Sequence, residues 1–328
     1  MTEKRFDWSK WVDPFVLTLF GVVALATLVP CQGKAATLFD YLADVAIVLL
    51  FFLHGAKLSR EAILSGFMSW RLHIVILLVT FALFPIAGMV LIQLPFLDPT
   101  LSAGVLYLTL LPSTVQSSIA FTSIAKGNVA AAVCAATISN LIGIFLTPLL
   151  VAMLMQVEGV GARVSMDAVW KIGMQLLLPF IVGHMARPRI GDWVHRHKQL
   201  IGRVDRSSIL LVVYTAFSAA IIDGLWSKCS LASLLVVCGI SCGLLAGVLA
   251  MSWWIGHRLA FSRQDSIVLL FCGSKKSLAS GVPIAGVLFS TSEMGLILLP
   301  VMIFHQIQLV VCAVIARRMG ARIEQAVG

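Results

Sequence analysis

Long apolar runs alternate along the chain with short stretches of polar and basic residues. Each run is close to the roughly 20 residues that a helix needs to cross the hydrocarbon core of a bilayer. The pattern therefore predicts an all-α polytopic membrane protein with ten transmembrane helices. We number them TM1 14–30, TM2 37–56, TM3 72–95, TM4 101–125, TM5 129–156, TM6 168–186, TM7 207–223, TM8 230–257, TM9 266–290 and TM10 295–316. The longest predicted loop, 187–206, joins TM6 to TM7.

The composition agrees with this pattern and explains the net charge of +9. Charged residues make up only 12% of the chain, against about 25% in a soluble domain. Of the 24 lysines and arginines, only Lys34, Arg163 and Lys228 fall in loops on the side opposite the termini. Because basic loops mark the cytoplasmic side, both termini are predicted to be cytoplasmic, and the compact loops favour a bacterial inner membrane. The charge therefore indicates membrane lipids as partners, and no nucleic acid.

Two of the predicted helices are interrupted by polar residues. TM4 breaks at Pro112, and TM9 carries two adjacent lysines inside an apolar run. A charge at the bilayer centre costs about 2.5–3.5 kcal/mol on insertion scales, so it is expected to be functional. The candidate binding residues of the two breaks are Ser113, Thr114, Gln116, Ser117 and Ser118 in TM4 and Ser274, Lys275, Lys276 and Ser277 in TM9. Adjacent residues project about 100° apart on a helix, and which lysine faces the site stays open.

The two breaks lie at corresponding places in two halves of the chain. Residues 14–156 hold TM1–TM5 and residues 168–316 hold TM6–TM10, and an odd number of helices per half inserts the second half upside down. Interrupted helices at matching positions of inverted repeats indicate a transporter's binding site near the membrane midplane. The backbone groups freed at a break must meet protein, water, an ion or a substrate, since they cannot face lipid. Half-helix N-termini at such a site favour an anion.

Four stretches carry a family resemblance: the break Pro112–Ser118, AKGNVAAAVCAATISN at 125–140, FCGSKKSLASGVPI at 271–284 and IFHQIQL at 303–309. With them the chain resembles the bile acid:sodium symporter family, most closely its sodium–bile-acid-cotransporter-like branch. The resemblance implies that TM4 and TM9 cross at their breaks. It also implies a core domain of TM3–TM5 and TM8–TM10, a panel domain of TM1, TM2, TM6 and TM7, and an organic anion bound in the cleft between them.

The resemblance also implies a sodium site at the crossing, but this chain lacks most of its ligands. On TM9, Phe271 occupies the position of a glutamate and Lys275 that of a glutamine. The TM5 hydroxyl positions and the TM3 glutamine position fall at Ala132, Ala136 and, by spacing, about Thr80. Sodium coupling is therefore questionable from the sequence alone.

The coupling ion is consequently expected to be sodium or a proton, and no organic cofactor is expected. Ser117 and Ser118 still match hydroxyl positions at which sodium could bind. The alternative is that a lysine ammonium takes the space that sodium fills in the family. Proton exchange at Lys275 would then replace sodium exchange as the coupling step.

Polar residues on TM5 and TM10 complete the candidate site. Thr137 and Asn140 either line the site or form hydrogen bonds between helices. His305 and Gln306 belong to a polar patch within TM10. His305 either relays protons or packs as a hydrogen-bonded histidine.

Other functions are compatible with parts of this pattern. The C-x-x-K spacing of Cys272 and Lys275 has no accompanying acid pair or metal-ligand set, and the sequence has no phosphate-binding loop, so we expect no enzymatic activity. Sodium/proton antiporters also combine crossing broken helices with a lysine, but they pair it with aspartates, whereas TM5 offers Asn140. A non-transporting membrane regulator is the third alternative. The sequence favours a secondary transporter of an organic anion, either bile-acid-like or another small carboxylate or sulfonate.

Overall fold

The computed structural model describes residues 14–57, 69–94, 98–155, 173–224 and 230–327, and within these ranges the chain forms helices and connecting turns without a strand. In hydrocarbon a helix satisfies its own backbone groups, which explains why the apolar runs are helical. The helices are α1 Pro14–Leu28, α2 Lys34–Lys57, α3 Trp70–Leu91, α4 Pro99–Leu110, α5 Gln116–Ile124, α6 Val129–Leu154, α7 Leu178–Arg196, α8 Lys198–Ile222, α9 Leu231–Arg258, α10 Arg263–Gly273, α11 Leu278–Leu288 and α12 Thr291–Val327.

Seven stretches of the described chain are long and apolar enough to cross a membrane. They are α2, α3, α6, α8, α9, the pair α10–α11, and α12 as far as Ala321. Two shorter apolar helices, Leu17–Leu28 and α4, add to them. The prediction of an all-helical, polytopic membrane protein is therefore confirmed. The start of TM6 and the connection 157–167 lie outside the described residues.

The predicted loop 187–206 is wrong, because this stretch is helical. α7 continues to Arg196, and α8 begins at Lys198 after the single residue His197. Basic residues mark where a chain leaves the hydrocarbon, but they do not mark where its helix ends, because lysine and arginine are good helix formers. Both helices therefore continue past the predicted ends of their membrane spans.

Both predicted interruptions are present as gaps between helices. α4 ends at Leu110, Leu111 is extended with φ −74° and ψ 154°, and α5 begins at Gln116. α10 ends at Gly273, and α11 begins at Leu278. Proline in the first gap has no N–H and cannot continue a helix, which accounts for that interruption.

α3 contains a different irregularity, a π-helical turn at Val79–Leu83. Here the N–H of Phe84 bonds the carbonyl of Val79, five residues back. The next residue, Pro85, has no N–H to offer. The carbonyl of Thr80 is therefore left without a donor from its own helix. Single π turns inside helices often occur at functional sites.

The pair α10–α11 lies at the centre of the molecule, and nearly all of its residues are buried. It packs against α2, α3, α5, α6, α8, α9 and α12. In addition, α1 packs against α8 and α2 packs against α7. Glycines make the α2–α7 contact very close: a Cβ at Gly183 would lie 1.9 Å from the carbonyl oxygen of Phe52, and one at Gly55 would lie 2.0 Å from that of Phe180.

Candidate functional site

The two breaks are hydrogen-bonded directly to each other. The N–H of Ser277 donates to the carbonyl oxygen of Pro112 at 2.8 Å. In the opposite direction, the hydroxyl of Ser113 donates to the carbonyl oxygen of Cys272 at 2.6 Å. These bonds satisfy backbone groups that the interrupted helices leave open, and they bring the two sets of candidate residues together.

Side chains of α6 bond further backbone groups of the first break. The N–H of Ser113 donates to Oγ of Ser139 at 3.1 Å, and Nδ2 of Asn140 donates to the carbonyl oxygen of Ser113 at 2.7 Å. Oγ1 of Thr147 donates to the carbonyl oxygen of Leu110 at 2.8 Å. Asn140 therefore makes the interhelical hydrogen bond that was one of its two predicted roles.

The hydroxyls of the first break form a chain that ends on the second. Ser117 donates to Oγ1 of Thr114 at 2.8 Å, and Thr114 and Ser118 share a hydrogen bond of 2.9 Å. Ser118 also bonds the carbonyl oxygen of Phe271 at 3.1 Å. Since these hydroxyls are engaged with one another and position 271 offers no carboxylate, the residues present do not fit the sodium site that the family resemblance implies.

Lys276 is fully buried, and its ammonium bonds three backbone carbonyl oxygens. Nζ lies 2.7 Å from the oxygen of Thr80, 2.8 Å from that of Thr109 and 2.7 Å from that of Leu111. An ammonium has three N–H donors, so all three are used. The side-chain amide of Gln308 holds the backbone of Lys276 at both N–H and carbonyl, each at 2.9 Å.

Lys275 is also fully buried, but its surroundings differ. Its Nζ lies 3.3 Å from Oγ of Ser117. It lies 4.3 Å from the ring centroid of Phe121 and 5.7 Å from that of Phe271, within the range of cation–π attraction. The adjacent lysines thus face different elements: Lys275 meets α5 and α10, whereas Lys276 meets α3 and the end of α4.

The polar residues of α12 support the second break. Nδ1 of His305 lies 2.8 Å from Nε2 of Gln308 and 3.4 Å from the carbonyl oxygen of Lys276. Oε1 of Gln306 is buried and has no hydrogen-bond partner within the described ranges. Of the two predicted α12 residues, His305 therefore joins the bonded set, and the neighbouring Gln308 holds the break.

A cavity of about 430 Å³ lies beside the two breaks. Its crossing wall consists of Thr114, Gln116, Ser117, Thr137, Asn140, Ser277, Ser280 and His305. The N-terminal ends of both α5 and α11 therefore reach the cavity. The remaining predicted residues do not line it; these are Ser113, Ser118, Ser274, Lys275, Lys276 and Gln306. Both lysines are thus behind the wall and not on it.

Ser280, which the sequence analysis missed, belongs to the cap of α11. Oγ of Ser277 accepts the N–H of Ser280 at 3.1 Å, as an N-cap residue does. The hydroxyl of Ser280 in turn donates to Oδ1 of Asn140 at 2.6 Å. The S-x-x-S spacing at the start of α11 could have identified this residue.

Charged and titratable side chains that the sequence analysis also missed line another part of the cavity. This charged wall consists of His54 and Lys57 on α2 and Asp205 and Arg206 on α8. Lys57 forms an ion pair with Oδ2 of Asp205. Cζ of Arg206 lies 5.8 Å from the ring centroid of Phe15. These residues lie in or beside basic stretches, and the sequence analysis used those stretches only to predict which side of the membrane they face. It therefore did not consider them as site residues.

A polytopic helical protein in which two broken helices meet beside a cavity has the arrangement of a secondary transporter. A sequence profile of the SBF-like CPA transporter family matches residues 13–321, and the chain belongs to this family. The resemblance to the bile acid:sodium symporter family is thereby confirmed.

Relatives from bacteria and vertebrates match along nearly the whole chain. The chain is 54% identical to "Putative symporter YfeH" of Escherichia coli K12, over 96% of this chain and 95% of that protein. It is 52% identical to "Uncharacterized protein PA2026" of Pseudomonas aeruginosa, with the same coverage. It is 27% identical to "Sodium/bile acid cotransporter 7" of the mouse, over 94% of this chain and 91% of that protein. Together with the apolar helices, these matches identify an integral membrane transporter.

Proposed function

We propose that this protein is a secondary active transporter of an organic anion, either bile-acid-like or another small carboxylate or sulfonate. The observation that carries the proposal is the cavity of about 430 Å³, which is lined both by the N-termini of α5 and α11 and by the charged wall. A volume of this size lies within the range of small-molecule sites. The mouse relative is named as a bile acid cotransporter, which supports this substrate class.

The charges around the cavity favour a negative substrate. Helix N-termini carry partial positive charge, and Lys57 and Arg206 add two full positive charges. Among the described residues that line the cavity, Asp205 is the one acid, and it is paired with Lys57. The net charge of the described cavity lining is therefore positive, which disfavours a cationic substrate.

The proposed architecture is ten helices in two inverted repeats, 14–156 and 168–316. TM3–TM5 and TM8–TM10 would form the core domain, and TM1, TM2, TM6 and TM7 the panel domain. Within the proposed panel α1 packs on α8 and α2 packs on α7, and α8 also packs on α11 and α12 of the proposed core. Rocking of one domain against the other would expose the cavity alternately to the two sides. With both termini in the cytoplasm of a bacterial cell, the charged wall would lie toward the cytoplasmic side.

We further propose that sodium is replaced as coupling ion by a proton, exchanged at Lys275. Phe271 and Lys275 stand where the family resemblance expects an acid and an amide. Lys275 contacts Ser117, which lines the cavity, so one hydroxyl separates the lysine from the cavity. Its ammonium contacts the Ser117 hydroxyl and two aromatic rings. Among the described residues no carbonyl oxygen accepts from it, so loss of a proton would leave none there without its donor.

The test is uptake into proteoliposomes under separate proton and sodium gradients. Radiolabelled taurocholate serves as the bile-acid-like probe, and aliphatic carboxylates and sulfonates are tested by counterflow. We expect anion uptake that follows the proton gradient and continues without sodium. Uptake that strictly needs sodium and ignores the proton gradient would contradict the coupling proposal. Cation exchange without anion flux would indicate an antiporter, and absence of all flux would indicate a regulator.

A further inference from the structure

The ammonium of Lys276 is held almost entirely by the main chain. Its three hydrogen bonds go to the carbonyl oxygens of Thr80, Thr109 and Leu111, at 2.7–2.8 Å. The side chain is fully buried, and no ion pair to an acidic residue is found for it in the part of the chain that the structure describes. A buried charge without a counter-ion is costly, so the carbonyl oxygens must supply most of its stabilisation.

None of the three oxygens accepts a backbone N–H from its own helix. The donor to Thr80 would come from residues 84 or 85, but the N–H of Phe84 bonds Val79 and Pro85 has none. Thr109 would receive the N–H of residue 113, which instead bonds Ser139. Leu111 lies beyond the end of α4.

Converging carbonyl oxygens of this kind bind cations, since they replace a cation's hydration shell. The ring of Phe84 lies 4.2 Å from Nζ and adds cation–π attraction. Oγ1 of Thr80, on the same residue as one of the three carbonyl oxygens, is buried and has no hydrogen-bond partner among the described residues. It is a further oxygen that an ion could use.

We propose that the carbonyl oxygens of Thr80, Thr109 and Leu111 form a monovalent-cation site that Lys276 fills permanently with its own ammonium. The site itself follows from the hydrogen bonds, whereas its consequence for coupling rests on the proposed function. A tethered ammonium cannot leave the protein during a transport cycle. No free ion can therefore be carried across at this position, and any exchangeable charge must be elsewhere, as proposed for Lys275.

The test is to remove the tether and supply a free cation. Purified Lys276→Ser protein is melted in ammonium, sodium, potassium and tetramethylammonium chloride at equal ionic strength. A ligand that binds only the folded state raises stability as its concentration passes its Kd. We expect a rise in Tm of about 5 °C or more in about 0.3 M of at least one of the small cations. Tetramethylammonium is too large for a site that an ammonium group fills, so it should have no effect.

Lys275→Ser is the matched control, because the substitution is the same and the neighbouring lysine is equally buried. Neither it nor the wild-type protein should distinguish small cations from tetramethylammonium. If Lys275→Ser responds to small cations and Lys276→Ser does not, the ammonium that fills a cation site belongs to Lys275, and the proposal is overturned. Equal melting of Lys276→Ser in all four salts would also overturn it.

A second pair of variants covers the case in which Lys276→Ser cannot be purified. Lys276→Met fills the space without a charge and should lower Tm by about 10 °C or more, since three buried acceptors lose their donor. Adding Pro85→Ala gives the oxygen of Thr80 an N–H from its own helix and should restore part of the membrane yield and Tm. A Lys276→Met protein within about 2 °C of wild type, or a double variant no better than the single one, contradicts the proposal. Because melting needs no substrate, these results stand apart from the uptake assay.

Discussion

The crossing wall and the charged wall of the cavity satisfy their polar groups in different ways. On the crossing wall, side chains are bonded to one another, as in the pair of Asn140 and Ser280. On the charged wall, Lys57 and Asp205 are 34% and 18% exposed, and Oδ1 of Asp205 is buried without a hydrogen-bond partner among the described residues. The first wall is fixed by the structure behind it, whereas the second holds a partly exposed ion pair whose lysine can exchange its partner for a substrate anion.

This difference indicates a division of tasks. Polar groups that hold an interrupted backbone cannot rearrange without leaving buried groups unpaired, which costs about 1–3 kcal/mol each. An ion pair near the surface contributes roughly 0–1 kcal/mol, and the partly exposed Lys57 can exchange its partner. We therefore expect changes at the crossing to affect stability, and changes on the charged wall to affect substrate affinity.

The largest effect on stability is expected at the contact between α2 and α7. This contact positions α2 and with it Lys57. A Cβ at Gly183 would lie 1.9 Å from a backbone oxygen, which cannot move as a side chain can. Gly183→Ala should therefore destabilise the protein by about 3 kcal/mol or more. Gly243→Ala on α9 is the control, because no described residue outside the backbone of its own helix comes within 4 Å of the added Cβ. Similar Tm values for the two variants would refute this packing.

An intermediate effect is expected behind the crossing wall. Thr147→Val removes the hydroxyl that bonds the carbonyl oxygen of Leu110 at 2.8 Å and should cost about 1–3 kcal/mol. Thr137 lies on the same helix, is partly exposed and bonds a carbonyl oxygen of its own turn. Thr137→Val should change stability by less than about 0.5 kcal/mol. Equal losses, measured by thermal melting, would show that the break does not depend on Thr147.

The smallest effect on stability is expected on the charged wall. Asp205→Asn should change stability by less than about 1 kcal/mol, but it should lower KM for the transported anion because Lys57 is released. Lys57→Gln should raise the same KM about tenfold, which corresponds to roughly 1.4 kcal/mol. Lys198→Gln, at an exposed position away from the cavity, is the control. Unchanged KM values in both Asp205→Asn and Lys57→Gln would show that the charged wall does not bind the substrate.

The sequence predicted the helical class and both breaks because prolines and intramembrane charges are strong local signals. Pro112 ends α4, and Lys275 and Lys276 mark the second gap. The family resemblance came from both breaks together with the stretches 125–140 and 303–309, and the family match confirmed it.

The partners of the lysines could not be predicted in the same way. The carbonyl oxygen of Thr80 is free to accept from Lys276 because of the π turn that precedes Pro85. The sequence shows the proline but does not show whether the helix before it is α-helical or contains a π turn. The charged wall was missed for another reason. Asp205 lies in a stretch predicted to be a loop, and only its helical continuation turns that residue toward the cavity.

The hydrogen bonds of Lys276 also bear on how the protein is made. Its three acceptors lie 165–196 residues earlier in the chain, so they are synthesised long before the lysine. The α10–α11 segment is the least apolar of the seven candidate spans and the most buried. On its own it would bring two uncompensated charges into the bilayer. During biosynthesis, the N-terminal half therefore serves as the template on which this last pair of half-helices enters the membrane.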